Sequence, residues 1–482
     1  MKYALPASVG IPALAILNTL QDIQGAGLEI HSFCLMRHQK IATEAYFSPI
    51  TADSLHRMYS ITKSLTALAI GLLEQDGKLE ITDTIASYFP EYVPKNLHPW
   101  LKTCTIRNLL CMQSCHRKTT YKADISKNWV ESFFTTPPNK PPGEMFHYDT
   151  SATHVLTAIV ERLCGTTLME FLRERVLDQI GFSKNAYILS DPFGTSIGGS
   201  GLVAKPIDLI RLGKLFLDNG KWDGVQLLPE KFLKEAVSYQ VPTFNFDTMT
   251  EKSYGYQFWQ IQDGGFAAIG KGGQYLACWP KHELVIATTA DTQNIPGDGK
   301  HIFNIITNRI LKAINTKNDN EAENQSALDT FVSNAKILPL QTVSTNTNFG
   351  GEYEISDNPN FTLIRWIFEN DHGAIELATK FGTKKIGFGI GRTVSGQFPF
   401  KRENSAWTKN PPCPKDNGGL YTASAGWVSD RELVMKISLL EEEVASVHIR
   451  AVFAKNSCTI EMRNTCEMCY EQFKGLWWAK RI

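Results

Sequence analysis

The chain has 482 residues, long enough for two or three domains, and its 43% hydrophobic and 20% charged residues are those of an ordinary globular protein. Lysine plus arginine equals aspartate plus glutamate, 49 against 49, so no global field draws it to nucleic acid or anionic membrane. No run of about eighteen uninterrupted apolar residues occurs, which excludes a membrane-spanning helix on sequence grounds.

The first fifteen residues carry one lysine and end small-x-small at Ala13-Leu14-Ala15, as a secretion signal can. Pro6, Ser8, Gly10 and Pro12 interrupt the apolar run, and Leu17, Leu20 and Ile23 continue it at helical spacing, so an amphipathic helix is the better reading. Two strands follow, Ile30 to Arg37 and Ile41 to Phe47, paired across a turn at Gln39-Lys40.

Ser60-x-x-Lys63 comes next and opens an apolar helical pattern, Leu65, Leu68, Ala69, Leu72 and Leu73, that stops at Asp76-Gly77. Three residues apart is nearly one turn, so the hydroxyl and the amine share a helix face. A serine is a poor nucleophile until a neighbour takes its proton, and a lysine can do so only where burial leaves it neutral. The motif alone is weak, because Ser333-x-x-Lys336 also matches it in a polar stretch.

Residues 78–103 read as loop with short helices, and Thr105 to Leu110 starts another helix. Helices are expected over His154–Leu163 and about 167–178, then from Pro206 to Phe216 after a glycine-rich turn at Gly194–Gly201. Strands are expected over Tyr254–Ile261, Gly265–Ile269, Gln274–Trp279 and Glu283–Thr289, closed by a helix from Ile302 to Ile314. The fold class is therefore α/β: an antiparallel sheet flanked by helices, with an all-helical lobe inserted, over residues 1–314. Residues 315–348 read as a linker with one helix near 326–336, and 349–482 as a separate C-terminal β-rich domain, where Val447, Ile449, Ala451 and Phe453 alternate.

Ten scattered cysteines are too few for a disulfide scaffold and fit a reducing compartment, so a cytoplasmic protein is expected. Cys466-x-x-Cys469 is half of a zinc pattern with no second pair at ribbon spacing, and all ten cysteines, Cys413 included, are taken as thiols. No metal or other cofactor is expected.

A partner for Ser60 is sought on another element, and Tyr148 in Phe146-His147-Tyr148-Asp149-Thr150 supplies one. Nearby lysine charge can lower a tyrosine's pKa, so it could be held as phenolate or share a proton with Lys63. His147 and His116 are read as structural, Ser200 as part of a tight turn, and Trp427, Trp477 and Trp478 as core of the β domain.

Taken together, Arg57 to Ser64, Asp76-Gly77-Lys78-Leu79, Thr105 to Met112, Pro142 to Tyr148 and Gly198 to Leu202 resemble the serine β-lactamase and penicillin-binding-protein superfamily. The likeness is to its class C-like branch of esterases, D-aminopeptidases and oligomer hydrolases, and it covers roughly residues 8–312. It implies that Ser60 is the nucleophile, with Lys63 and Tyr148 as proton carriers. Thr150 stands where the family usually has asparagine. The third motif is best matched by Ala268-Ile269-Gly270, which puts alanine in the family's cationic slot unless Lys271 takes it. Gly270 and the Lys271 N–H would then complete an oxyanion hole with the Ser60 N–H. Asp149 could add negative charge beside Lys63.

The resemblance implies a serine hydrolase of a small ester or amide. A catalytically inactive ligand-binding protein of the same fold stands behind it, as does a β-lactamase or D-Ala peptidase. The expected partner is a small-molecule substrate.

Overall fold

The computed structural model describes residues 1–243, 253–297, 299–344, 346–400, 418–467 and 469–482, which leaves Cys413 outside the described residues. A nine-stranded sheet forms the first half. Its order is Lys2–Tyr3, Lys40–Tyr46, Glu29–Arg37, Leu284–Asp291, Gln274–Trp279, Gly265–Gly270, Trp259–Ile261, Ser253–Tyr254 and Val241–Pro242. Every pairing is antiparallel except that of Lys2–Tyr3 with Lys40–Tyr46. The sheet thus joins the two ends of this half, as the sequence pattern predicts.

The first hairpin turns at His38-Gln39, one residue earlier than predicted, and both residues have positive φ, 49° and 59°. The predicted strand Tyr254–Ile261 is instead a hairpin in which Ser253 pairs with Gln260 and Tyr254 with Trp259. Gln257, at φ 62°, reverses the chain there.

Helices Ala13–Gly25, Lys300–Ile306 and Glu321–Ser333 pack on one face of the sheet, where Ile16, Leu20, Ile302, Ile306 and Leu328 share a core. The stretch predicted as linker is therefore packed structure. Its helix begins five residues earlier than expected and lies along Ala13–Gly25. Leu328 is buried and the Ser48 N–H donates to the Ala335 carbonyl at 2.9 Å. Polar composition hid this because only one side of the helix is covered.

On the other face lie Thr62–Gln75 and Pro206–Leu217, with the helical lobe beyond them. Gly213 lies against Val285 of the central strand, where a Cβ would sit 2.3 Å from a valine methyl. The helix after Tyr148 starts at Thr150, four residues before the predicted His154, because Asp149 caps it by accepting the Ser151 N–H at 2.9 Å.

The C-terminal half is a ten-stranded sheet closed on itself into a barrel, since Gly382–Ile390 pairs in parallel with Leu420–Trp427. Val447, Ile449, Ala451 and Phe453 all face its core, as their alternation predicts. Trp427 is buried there and Trp477 packs at the rim, but Trp478 is half exposed and is not core as expected. No helix among the described residues is long and apolar enough to cross a membrane.

The barrel touches the first half where Ser60 lies. The turn between its strands Glu432–Leu440 and Val444–Ala454 meets residues 57–59. The Arg57 N–H donates to the Glu441 carbonyl at 3.1 Å, and the Tyr59 hydroxyl donates to the Val444 carbonyl at 2.7 Å. Gln293 also donates to that carbonyl, so Tyr59→Phe leaves it one partner and should cost about 1 kcal/mol. Urea unfolding of the full chain measures this, and an unchanged midpoint would mean that the contact is not formed.

Candidate functional site

Ser60 sits on the single tight turn Tyr59–Ile61 that leads into the helix Thr62–Gln75. Tyr59 takes φ 45°, a left-handed backbone that a bulky residue adopts only when its surroundings hold it there. The turn leaves Ser60 half-buried, within reach from outside, while Lys63 is fully buried.

Three oxygens surround the lysine amine: Lys63 Nζ lies 2.6 Å from the Gly199 carbonyl, 3.0 Å from Ser60 Oγ and 3.3 Å from Thr150 Oγ1. Burial is the largest influence on its pKa and brings it down to about 7, against the opposing pull of Glu467 and Asp149.

Tyr148 faces the same pair. Its hydroxyl is in hydrogen-bonding contact with Ser60, and Lys63 Nζ stands 4.9 Å from its ring centre. The ring stacks on Trp259 at 5.6 Å, and Tyr254 meets both rings edge-on. Tyr148 is not held as the phenolate that nearby lysine charge would favour. Burial raises its pKa well above the ordinary tyrosine value, with Ser60 only partly offsetting this, so the phenol keeps its proton. The lysine, not the tyrosine, has the proton affinity of a base near neutrality.

The glycine-rich turn matters more than its sequence suggested. A Cβ on Gly199 would lie 2.5 Å from Thr150 Cγ2, and one on Gly198 would lie 1.9 Å from Thr157 Oγ1. Both glycines let the backbone come close enough for the Gly199 carbonyl to reach the amine. Ser200 is part of this turn, and its carbonyl accepts from Arg57 Nε at 3.0 Å.

The strand Gly265–Gly270 runs past the Tyr59–Ile61 turn. Trp259–Ile261 pairs with Gly265–Ala267 alone, so Ala268–Gly270 present an open edge there. A Cβ on Gly270 would meet the Met58 carbonyl at 2.3 Å, which makes this glycine a close-approach position. Ala268 is buried in the core. Lys271 is exposed, with Nζ 3.4 Å from the Thr465 carbonyl of the barrel.

Asp149 is buried and accepts from Ser114 Oγ at 3.0 Å as well as from Ser151; burial lifts its pKa to about 6. His116 is buried against the Phe133 carbonyl at 2.9 Å, and burial lowers its pKa to about 4. Ser333 only caps its own helix, donating to the Thr330 carbonyl at 3.0 Å.

A profile of the Beta-lactamase family matches residues 19–305, more than half of the chain. The chain belongs to this family. It is 25% identical over 314 residues to the 6-aminohexanoate-dimer hydrolase of Paenarthrobacter ureafaciens, covering 59% of this chain and 78% of that one. Its fold is similar to that of an octameric penicillin-binding protein homologue from Pyrococcus abyssi, with a TM-score of 0.51 and 14% identity over 97% of this chain and 99% of that one. A family VIII carboxylesterase also matches, with a TM-score of 0.51 and 15% identity over 62% of this chain and 96% of that one.

Sequence reasoning missed two contributors. Gln257 ties the site together: its carbonyl accepts from Ser64 Oγ at 2.7 Å, its Oε1 from Thr153 Oγ1 at 2.8 Å, and its Nε2 donates to the Leu109 and Leu110 carbonyls at 3.0 and 2.9 Å. Glu467 of the barrel pairs with Lys122 of the helical lobe. Only the Gly255-Tyr256 interruption in a strand pattern hinted at the first, and nothing local signalled the second.

The amine should titrate near pH 7, which NMR of ¹³C-labelled lysine can follow through the Lys63 ε-carbon. Gly199→Ala should move that midpoint, because the new methyl displaces Thr150 or the carbonyl that holds the amine. A Lys63 midpoint in the ordinary lysine range would contradict the buried geometry.

Proposed function

We propose that this protein is a serine hydrolase that cleaves a small ester or amide through an acyl-enzyme on Ser60. The observation that carries the reading is a buried lysine amine 3.0 Å from the Ser60 hydroxyl, with its pKa brought down to about 7.

A neutral amine has two N–H bonds and one lone pair. The Gly199 carbonyl can only accept, and Thr150 Oγ1 accepts the second N–H, which turns the lone pair to Ser60. Lys63 then takes the Ser60 proton as Oγ adds to the substrate carbonyl. Tyr148, kept protonated by burial, gives its proton to the leaving group and is reprotonated from Lys63. Water enters by the reverse path, cleaves the acyl-enzyme and restores the starting protonation. The N–H groups of Ser60 and Lys271, beside Gly270, are assigned to the tetrahedral oxyanion.

The substrate side favours ester or simple amide over a carboxylate-bearing β-lactam or D-Ala peptide. Ala268 offers no cation, and the exposed Lys271 amine has the Thr465 carbonyl of the barrel as a partner. Thr150, half-buried beside Lys63, offers a substrate one hydroxyl where an asparagine would offer an amide. The similar proteins include a dimer hydrolase and a carboxylesterase. The nine described cysteines, none in a disulfide, favour a reducing compartment such as the cytoplasm.

Short-chain p-nitrophenyl esters should be hydrolysed by the wild type and not by Ser60→Ala. Tyr148→Phe should lose roughly 10²- to 10⁴-fold in kcat. Because the working form is the deprotonated amine, kcat/KM should rise with pH through about 7 and fall away below it. Equal rates for wild type and Ser60→Ala would sink the hydrolase. A fluorophosphonate that labels wild type but not Ser60→Ala, with no ester turnover, would instead make the protein a covalent trap.

A further inference from the structure

The barrel carries a second cluster of reactive side chains that the hydrolase reading does not use. Cys466 and Cys469 lie on the loop after the strand Ser457–Asn464, and Glu443 lies at the turn that meets Arg57. The two sulfurs and a carboxylate oxygen lie within 4.8 Å of one another, and all three residues are buried.

We propose that Glu443, Cys466 and Cys469 bind one zinc ion, with water as the fourth ligand. Two thiolates and one oxygen are a donor set that suits zinc over the harder calcium and magnesium. Tetrahedral zinc, with bonds of about 2.0–2.3 Å, brings its donors to within roughly 3.5–3.8 Å of each other, so donors up to 4.8 Å apart close by about 1 Å on binding.

Described residues on either side of the pair are already held in place. The Asn464 side chain spans it, accepting the Cys466 N–H at 3.1 Å and donating to the Tyr470 carbonyl at 2.7 Å. Tyr470 reverses the chain at φ 56°. The carboxylate is oriented as metal-bound carboxylates are: one oxygen of Glu443 accepts the Glu467 N–H at 3.2 Å, and the other takes Arg57 Nη1 at 3.3 Å. Each oxygen keeps a second lone pair for a metal. The charges also close, because two thiolates and a carboxylate are balanced by a divalent ion and the Arg57 guanidinium. Binding releases the two thiol protons to solvent.

Such an ion would pin three things at once: the barrel turn that grips Arg57, the loop that carries Glu467, and through the Glu467–Lys122 pair the helical lobe. The inference is independent of whether Ser60 is catalytic.

The test is metal content and spectroscopy on the full chain, purified reduced and without a histidine tag. Elemental analysis should find one zinc per chain, and Co²⁺ exchanged into the chelated protein should give thiolate-to-cobalt charge-transfer absorption. Both signals should be lost in Cys466→Ser and Cys469→Ser and kept in Cys278→Ser, a buried cysteine outside the cluster. Glu443→Gln, which keeps the shape of the side chain, should bind zinc more weakly, so the proposal stays testable if a serine variant misfolds. Wild-type protein with no zinc and no cobalt spectrum would overturn it. So would a Cys466–Cys469 disulfide in protein purified under reducing conditions, or zinc content unchanged in every variant.

Discussion

The rest of the site depends on a lysine kept out of water. Lys63 is fully buried, and among the described residues no carboxylate makes ion-pair contact with it. Lowering a lysine from its ordinary 10.5 to about 7 means that the charged form is disfavoured by on the order of 5 kcal/mol. That cost falls on the folded state below pH 7, shrinks as pH rises from 7 to 10.5, and vanishes where the unfolded chain is neutral too. The fold therefore carries a standing electrostatic debt at neutral and acid pH in order to hold an amine that can accept a proton. The apolar helix Thr62–Gln75, buried from Thr62 to Leu73, is what makes that tolerable.

Keeping the amine buried also dictates its neighbours. It needs acceptors for its N–H groups without a negative charge, and a backbone carbonyl is the group that provides this. Gly198-Gly199 brings one within 2.6 Å because neither residue has a side chain to hold the backbone off Thr66, Thr150 and Thr157. Thr150 supplies the second acceptor through its hydroxyl. Tyr148 completes the set as a neutral phenol, its ring packed on Trp259 and Tyr254 with the Lys63 amine 4.9 Å from its centre.

Much of this was legible because it follows local rules. The sheet that joins residues 29–46 to 253–291 could be read from alternation, and the helix after Ser60 from its apolar spacing and its stop at Asp76-Gly77. The grouping of Ser60, Lys63, Tyr148 and Thr150 came from a resemblance, not from any local rule. What escaped was set by tertiary contact. Tyr148's proton affinity depends on burial, which no spacing reveals. Gln257 reads as one polar residue in a strand, yet it reverses the chain and bonds to three other segments. The helix Glu321–Ser333 looked like linker because a one-sided helix is mostly polar. The contact of Lys271 with Thr465 spans almost two hundred residues and had no local signal either.

The same distance effect explains why the barrel belongs to the site. Tyr59 holds a left-handed backbone one residue before Ser60, which a tyrosine does not adopt unaided. Its hydroxyl is anchored to Val444 of the barrel, and Arg57, 4.8 Å from its ring centre, is itself held by Glu441, Glu442 and Glu443. Those contacts all come from one barrel turn. The position of Ser60 above Lys63 is therefore set from two directions: the helix fixes the amine, and the barrel fixes the strained residue that delivers the hydroxyl to it. The barrel turn thus grips residues 57 and 59 of the segment that leads into Ser60, and so forms part of the scaffold around that residue.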